Sequence, residues 1–250
     1  MKFENVQTIG MLGGGIMGGG IAQAFAVAGY PVVVRDISDE AIQHTRDTIF
    51  DGKWGIKRAV ELGKLKFDDG LAAMNRLDFT TRMEDLAQCD FVVEAIPEKL
   101  ELKQEVFKEL DGVVKPQAIF ASNTSGFVIA EIARDVSASR KALFIGMHFS
   151  NPVTRMRMCE IIYTPETSEE TIATTRALAE KIDKVVSMVK DAPGTYGFLL
   201  NRIFGAARRE AMAIVEAGIA TREDIDKAMM TGRNWPAGFF GSRGGIGKEW

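Results

Sequence analysis

The sequence predicts an α/β fold, a doubly wound sheet followed by a short all-α C-terminal domain. Three observations predict it. Short apolar runs of strand length alternate with longer amphipathic stretches over most of the chain. A glycine-rich turn, Gly13-Gly14-Gly15-Ile16-Met17-Gly18, joins the first apolar run to the first helical stretch. Beyond the turn signal Asp191-Ala192-Pro193-Gly194 only helical spacing remains.

The apolar runs are residues 6–12, 32–35, 91–96, 118–121 and 143–148. Residues 21–28 read as a helix between the first two. Residues 100–114 read as another, with Leu102, Val106, Phe107 and Leu110 at helical spacing. Strand, helix, strand repeated in this way implies a parallel sheet covered by helices on both faces. Such strands are buried on both sides, which explains runs that are continuously apolar rather than alternating. One interval breaks the rhythm: between Asp36 and Phe91 the chain is charged and helical in pattern, with Gly63 as a break, and reads as an excursion of two helices. Two later strands, 156–162 and 185–189, flank a helix at 168–181. The domain boundary is placed at the Pro193 turn, giving domains 1–192 and 193–250. In the second, 198–217 is amphipathic and stops at Gly218. Thr221 with Asp224 resembles a capping box that starts a further helix. From Gly238 the sequence is glycine-rich and is expected to be mobile. There is no internal repeat.

Composition narrows the function classes. Hydrophobic residues make up 46% and charged residues 26%, enough for a real core. The formal charge of -3 comes with Lys and Arg spread along the chain, so no basic run points to nucleic acid. No apolar run is long enough to span a bilayer. Cys89 and Cys159 cannot form a disulfide framework, and no signal peptide is read at the N-terminus. The expectation is a cytoplasmic protein with no nucleic-acid, membrane or metal partner.

The glycine turn carries the first site. G-x-G-x-x-G is common by chance, but here it follows a strand, precedes a helix, and is answered by Asp36 at the end of the next strand. That is the Rossmann-type arrangement. Gly13 permits the tight turn, Gly15 lets the backbone approach a pyrophosphate, and Gly18 lets helix and strand pack closely, while Ile16 and Met17 open the helix. The helix N-terminus then offers N–H groups and a positive dipole end to phosphates. Asp36 can accept from both ribose hydroxyls, and its charge repels a 2′-phosphate, so NAD is favoured over NADP; FAD enzymes share the fingerprint and stay open at this point. Arg35 should point to the opposite face.

Ligands of open parallel sheets lie beyond the carboxyl ends of the strands. Two polar clusters stand at such ends, Ser122-Asn123-Thr124-Ser125 and His148-Phe149-Ser150-Asn151-Pro152, after the fourth and fifth predicted strands. Glu160 lies inside the apolar stretch 158–162 and needs a partner there. His148 is the candidate, since the only other histidine, His44, sits in a polar helical stretch. An alcohol oxidised by hydride transfer needs a base that works near neutral pH, and a buried carboxylate would fix the imidazole tautomer. The alternatives are a core histidine bonded to backbone, a turn role for Ser125, and a helix-start contact for Asn201.

At about residues 6 to 240 the chain resembles the L-3-hydroxyacyl-CoA dehydrogenases, including the 3-hydroxybutyryl-CoA dehydrogenases. The motifs that carry this are the glycine turn through Gly20-Ile21-Ala22, Val93-Glu94-Ala95-Ile96, Ala121 to Ser125, and His148-Phe149-Ser150-Asn151-Pro152-Val153. Lys190-Asp191-Ala192-Pro193-Gly194, Asn201-Arg202 and Glu223-Asp224-Ile225-Asp226-Lys227-Ala228-Met229 complete the match. The resemblance implies that His148 is the catalytic base and Glu160 its partner, that Ser125 hydrogen-bonds the substrate's 3-oxygen, and that Asn201 helps polarise the substrate or order the site. It implies that Glu98, Lys103 and Asn151 contact the cofactor, and that coenzyme A lies against the helical excursion, where Lys53, Lys57 and Arg58 could meet its phosphates. It implies an acyl-CoA thioester substrate, a homodimer, and a place in fatty-acid metabolism such as β-oxidation. The chain departs from the family at Ser150, where a second aromatic is usual, and at Arg155, where the family tends to be apolar. Thr195-Tyr196-Gly197 looks like an insertion, and the chain stops at Trp250 where family members continue, as a natural short form or with that region supplied elsewhere. Two other readings stay open: a related dehydrogenase of a free hydroxy acid or sugar acid, and an NAD-binding protein with little catalysis.

Overall fold

The computed structural model describes residues 1–194 and 196–241. Most of the expected mobile end lies in 242–250, outside the described residues, as does Thr195 of the apparent insertion. The chain forms two compact units that divide between Tyr196 and Gly197.

The first unit is built on an eight-stranded sheet. In chain order it runs β1 (Ile9–Leu12), α1 (Ile16–Val27), β2 (Val32–Arg35), α2 (Asp39–Asp51), α3 (Ile56–Glu61), α4 (Phe67–Met74), β3 (Leu77–Thr80), β4 (Phe91–Glu94), α5 (Leu100–Val113) and β5 (Ile119–Ser122). It continues with α6 (Ile129–Ile132), α7 (Ala138–Lys141), β6 (Phe144–Phe149), β7 (Met158–Tyr163), α8 (Glu169–Lys181) and β8 (Val185–Lys190). The strand order is β3-β2-β1-β4-β5-β6-β7-β8. The first six strands are parallel, β7 runs antiparallel to β6, and β8 is parallel to β7. The reversal of β7 follows from its connection. Residues 150–157 carry no helix that could cross the sheet, and parallel neighbours need such a crossover. The chain first winds outward from β1 to β3, then returns past β1 to β4. This puts a topological switch point, the crevice where such sheets bind ligands, between β1 and β4.

The expected excursion is larger than two helices. It holds three, and it ends in the edge strand β3, paired with β2 from Val32↔Leu77 to Arg35↔Thr80. Only Leu77 of that strand is buried, and Asp78 interrupts it, so it gives no apolar run to read. With β3 counted, Ser122 ends the fifth strand and Asn123–Ser125 follow it. His148 lies inside the sixth strand rather than after it.

Strands β1, β4, β5 and β6 are buried at every position. One face packs Ile9, Met11, Phe91, Val93, Ile145 and Met147 against Ile21 and Phe25 of α1. Elsewhere Phe107 of α5 meets Phe144 at 4.6 Å and Phe120 at 5.8 Å between ring centroids. The Arg140 guanidinium lies 4.1 Å over the Phe120 ring. Ser38 and Ser168 cap α2 and α8, each accepting the N–H three residues on.

The second unit holds α9 (Leu199–Glu216) and α10 (Arg222–Gly232). Gly218 takes φ +67 just past α9, the left-handed stop expected of it. Thr221 caps α10 by accepting Asp224 N–H at 3.1 Å. Phe204, Trp235 and Phe239 form an aromatic trio with centroids 5.0–6.2 Å apart. Among the described residues no helix is long and apolar enough to cross a membrane, and no group of His, Cys, Asp and Glu could hold a metal ion.

Candidate active site

The glycine turn leaves β1 and enters α1 at the switch point. Its glycines serve three different ends. Gly13 sits at φ +85, and a Cβ there would stand 2.9 Å from the Ala95 carbonyl oxygen. A Cβ on Gly18 would stand 1.8 Å from the Gly13 oxygen, so only glycine lets α1 close on the turn. Gly15 is the N-cap of α1, and a Cβ there would meet nothing within 4 Å. That space is the cradle in which a pyrophosphate can approach the N–H groups of the first turn. Asp36 accepts from Gly14 N–H at 2.7 Å and Ile37 N–H at 2.7 Å, which ties the end of β2 to the turn. A carboxylate has about four acceptor positions, so capacity for ribose hydroxyls remains. Ile16 is 72% exposed on the first turn of α1, and Met17 half-buried. The open cradle and the carboxylate fit a dinucleotide.

Between β4, β5 and α5 lies a polar network that the sequence reading did not assemble. Glu94, the last residue of β4, is fully buried and accepts from Lys103 Nζ at 2.5 Å, Ser122 Oγ at 2.6 Å and Ile96 N–H at 2.7 Å. Burial pushes its carboxyl above the usual range, against the pull of Lys103, Ser122 and the Ile96 amide. The same Lys103 ammonium lies 3.2 Å from Glu98 Oε2, and its side chain has no exposed surface. Lys103 therefore positions Glu98 rather than touching a ligand itself. Glu98 in turn accepts from Thr124 Oγ1 at 2.6 Å and Ser125 N–H at 2.7 Å. An acid at the end of the apolar strand Phe91-Val92-Val93-Glu94 needs a partner once buried, and that was the available signal for Glu94.

His148 and Glu160 face each other across the antiparallel β6–β7 pair, in direct register. Nδ1 of the imidazole is 2.7 Å from Glu160 Oε2, and the residues are 6% and 1% exposed. A carboxylate at that distance holds the proton on Nδ1 and makes Nε2 the proton-accepting nitrogen. Asn123 Oδ1 accepts the next amide, Phe149 N–H, at 3.0 Å, which fixes the end of β6 against the end of β5. Asn123 was read only as part of a cluster; no local pattern marks it as the residue that docks β6. Asn151 is exposed in the connection that follows, and Val153 beside it packs against Gly20 of α1, where a Cβ would lie 3.0 Å away. Asn201 is exposed on α9 of the second unit, and His44 is exposed on α2.

The basic residues of the excursion separate. Lys57 is paired with Asp51 at 2.6 Å, both side chains exposed. Lys53 and Arg155 instead flank the Trp54 ring, 5.3 and 5.5 Å from its centroid. They line a cavity of about 510 Å³ together with Arg58, Arg157 and Lys184.

The sheet order, the glycine cradle and Asp36 define a dinucleotide-binding protein of the Rossmann class. A family model described as 3-hydroxyacyl-CoA dehydrogenase, NAD binding domain, matches residues 8–192, and that of the C-terminal domain matches 197–248. The chain belongs to the 3-hydroxyacyl-CoA dehydrogenase family, and its cofactor is NAD. A probable 3-hydroxybutyryl-CoA dehydrogenase of Deinococcus radiodurans is 41% identical over 229 residues, 92% of this chain and 79% of the relative. The human mitochondrial hydroxyacyl-coenzyme A dehydrogenase is 37% identical over 245 residues, covering 94% and 74%. The crystal structure of (S)-3-hydroxybutyryl-CoA dehydrogenase from Ralstonia eutropha superposes with a TM-score of 0.88 at 39% identity, covering 94% of this chain and 80% of that one.

Proposed function

We propose that this protein oxidises a short (3S)-3-hydroxyacyl-CoA to the 3-oxoacyl-CoA, or runs the reverse reaction, with His148 as general base and acid. The family membership and the activities named for its relatives support the reaction class. The observation that carries the assignment of roles is the 2.7 Å pair between His148 Nδ1 and Glu160 at the carboxyl end of the sheet. Bound NAD supplies the hydride acceptor. His148 takes the 3-hydroxyl proton on Nε2 while its Nδ1–H stays bonded to Glu160, whose charge offsets that of the imidazolium. In the reducing direction the same nitrogen returns the proton to the developing oxyanion. Ser125 donates to that oxygen as its charge changes. The turn shaped by Gly13 and Gly18 receives the pyrophosphate at Gly15, Asp36 holds the adenine ribose, and Glu98 and Asn151 the nicotinamide side. Lys53, in the cavity beside Trp54, meets coenzyme A phosphates; Lys57 and Arg58, already paired with Asp51 and Glu61, contribute less.

The test is NADH oxidation with acetoacetyl-CoA, beside NADPH and beside free acetoacetate. Turnover with NADH and the thioester alone is expected. Turnover of free acetoacetate at a similar rate would point instead to a free-acid dehydrogenase, and tight NADH binding without any turnover to a binding protein. His148→Ala should keep NADH affinity and lose turnover by about 10²- to 10⁴-fold. We further propose a homodimer. Leu199, Leu200, Ile203 and Phe204 leave the first turns of α9 with a large exposed apolar surface, Ile203 at 70%. Analytical ultracentrifugation should give twice the 27.4 kDa chain mass; a monomer at micromolar concentration refutes it.

A further inference from the structure

We propose that Asn123 is a positioning residue for the proton transfer: its carboxamide stands in for the strand residue that β5 lacks beside the end of β6, and so fixes His148 relative to Ser125. The inference rests on the reading of His148 as the base and of Ser125 as the donor to the substrate oxygen. It is carried by two strands that end at different heights. On one edge β6 is paired with β7 as far as Phe149↔Cys159. On the other edge its ladder with β5 runs from Phe120↔Phe144 only to Ser122↔Gly146, where β5 ends. Met147, His148 and Phe149 therefore overrun their parallel neighbour. The Phe149 N–H has no β5 residue to meet. It donates instead to Asn123 Oδ1 at 3.0 Å, between residues 2% and 8% exposed. A buried amide left without an acceptor is costly, so the end of β6 stays where the carboxamide is.

Asn123 is itself held. Its backbone N–H donates to the Glu94 carbonyl oxygen at 2.7 Å. On one side of it Ser122 Oγ donates to the Glu94 carboxylate at 2.6 Å, and on the other Thr124 Oγ1 donates to Glu98 at 2.6 Å. Ser125 N–H donates to Glu98 as well, at 2.7 Å. These bonds tie the segment to β4 and to the connection that follows it. The bond from the Asn123 side chain crosses the other way, to the strand that carries His148. From Ser125 to the imidazole the path is short: back along the chain to Asn123, across one hydrogen bond to Phe149, and back one residue to His148. A donor and a base that act on the same hydroxyl must keep their separation closely, since a misplacement of about 1 Å costs about 10²-fold in rate.

Asn123→Leu keeps the side-chain volume and removes the acceptor. It should lower kcat with acetoacetyl-CoA about 10- to 100-fold, with the calorimetric Kd for NADH unchanged. Asn123→Asp restores an acceptor oxygen in the same place and should recover most of the loss at pH 8, where a carboxyl is ionised. A role confined to folding would instead move both variants alike, in step with Tm. In a Ser125→Ala background Asn123→Leu should cost far less than in the wild type, because the donor it positions is gone. Should Asn123→Leu not fold, Asn123→Ala makes the same comparison. Hydrogen exchange at the Phe149 amide of the wild-type protein, read by NMR with isotope-labelled phenylalanine, should show protection like that of the β6–β7 ladder. Wild-type kcat in Asn123→Leu or Asn123→Ala overturns the inference. Equal losses in Asn123→Leu and Asn123→Asp, losses that add to that of Ser125→Ala, or a freely exchanging Phe149 amide do the same. Unchanged kcat in Ser125→Ala or in His148→Ala overturns the reading of those residues, and the inference with it.

Discussion

Glu160 stands opposite His148 with its carboxylate on Nδ1, so replacing it with an amide of the same shape tests the charge and the tautomer together. Glu160→Gln should lower kcat by about 10²- to 10⁴-fold while NADH binding persists; stopped-flow turnover beside a fluorescence titration separates the two. Asp36→Ala should weaken NADH by about ten-fold or more, as charge-assisted hydrogen bonds to the ribose are lost, and narrow the preference over NADPH; an unchanged NADH affinity would remove Asp36 from the cofactor site. Cys89 and Cys159 are buried, and burial pushes the Cys89 thiol up to about 12, with the Asp90 charge adding and Lys115 opposing. Native protein should resist iodoacetamide at pH 8 for hours, and both cysteines should label once urea unfolds it; mass spectrometry after hours of native exposure reads the outcome. At this scale the sequence was legible where a residue contradicted its surroundings. Glu160 among apolar neighbours called for a partner, and one of only two histidines was positioned to be it. The burial of Lys103 was not legible, because burial of a lysine depends on Glu94 and Glu98, which reach it from other elements.

The turn between β1 and α1 separates a packing requirement from a binding requirement. Gly15→Ala places its methyl in open space at φ -55, on the negative side where an L residue meets no left-handed strain. The variant should fold with nearly the same Tm and bind NADH at least ten-fold more weakly, because the methyl occupies the pyrophosphate's place. Gly18→Ala drives a Cβ to 1.8 Å from the Gly13 oxygen and should lower Tm by several degrees or prevent folding. Thermal melts of the pair, with and without NADH, check both; equal Tm losses would show that Gly15 is a packing glycine after all. Strands buried on both faces were easy to read because they are uninterrupted apolar runs. β3 was not, since one buried leucine and an exposed aspartate give neither a run nor a clean alternation. Likewise, the reversal of β7 is a matter of connection geometry and no residue type signals it.

The first unit also has a seam of charged groups that ties helices to strand ends. Arg140, 2% exposed, donates through Nε to Asp111 at 2.7 Å and through its other nitrogens to the carbonyls of Val114, Lys115 and Ala118. Arg140→Leu removes the cation that offsets Asp111 and the donors to those carbonyls and should cost about 3–5 kcal/mol, measurable by urea titration. Burial works to raise the Asp111 carboxyl, but Arg140 and the Ser137 N–H outweigh it and hold it below the usual carboxylate range. Asp90 is alike: burial resists, and Lys115 with the N–H groups of Gln7 and Thr8 wins. A carboxyl whose folded pKa is depressed stabilises the fold above the unfolded value of about 3.9, and that stability drains away as pH falls toward the folded value. Tm should therefore decline below about pH 4.5, and Asp111→Asn should flatten that decline while lowering Tm at pH 7. A wild-type Tm that holds steady down to pH 3 would contradict it.

The hairpin-like return of β7 onto β6 has a further consequence for how this protein can change. The ladder from Gly146↔Ile162 to Phe149↔Cys159 holds the His148–Glu160 pair in place, and the 150–157 connection does not set its spacing. That loop can lengthen, shorten or acquire a residue such as Arg155 while the pair stays as it is. A single residue gained or lost within β7 has the opposite effect. It turns Glu160 to the other face and presents Cys159 or Ile161 to His148. Sequence change can thus accumulate in the loop without disturbing the facing imidazole and carboxylate, and the strand beside it tolerates no change of length.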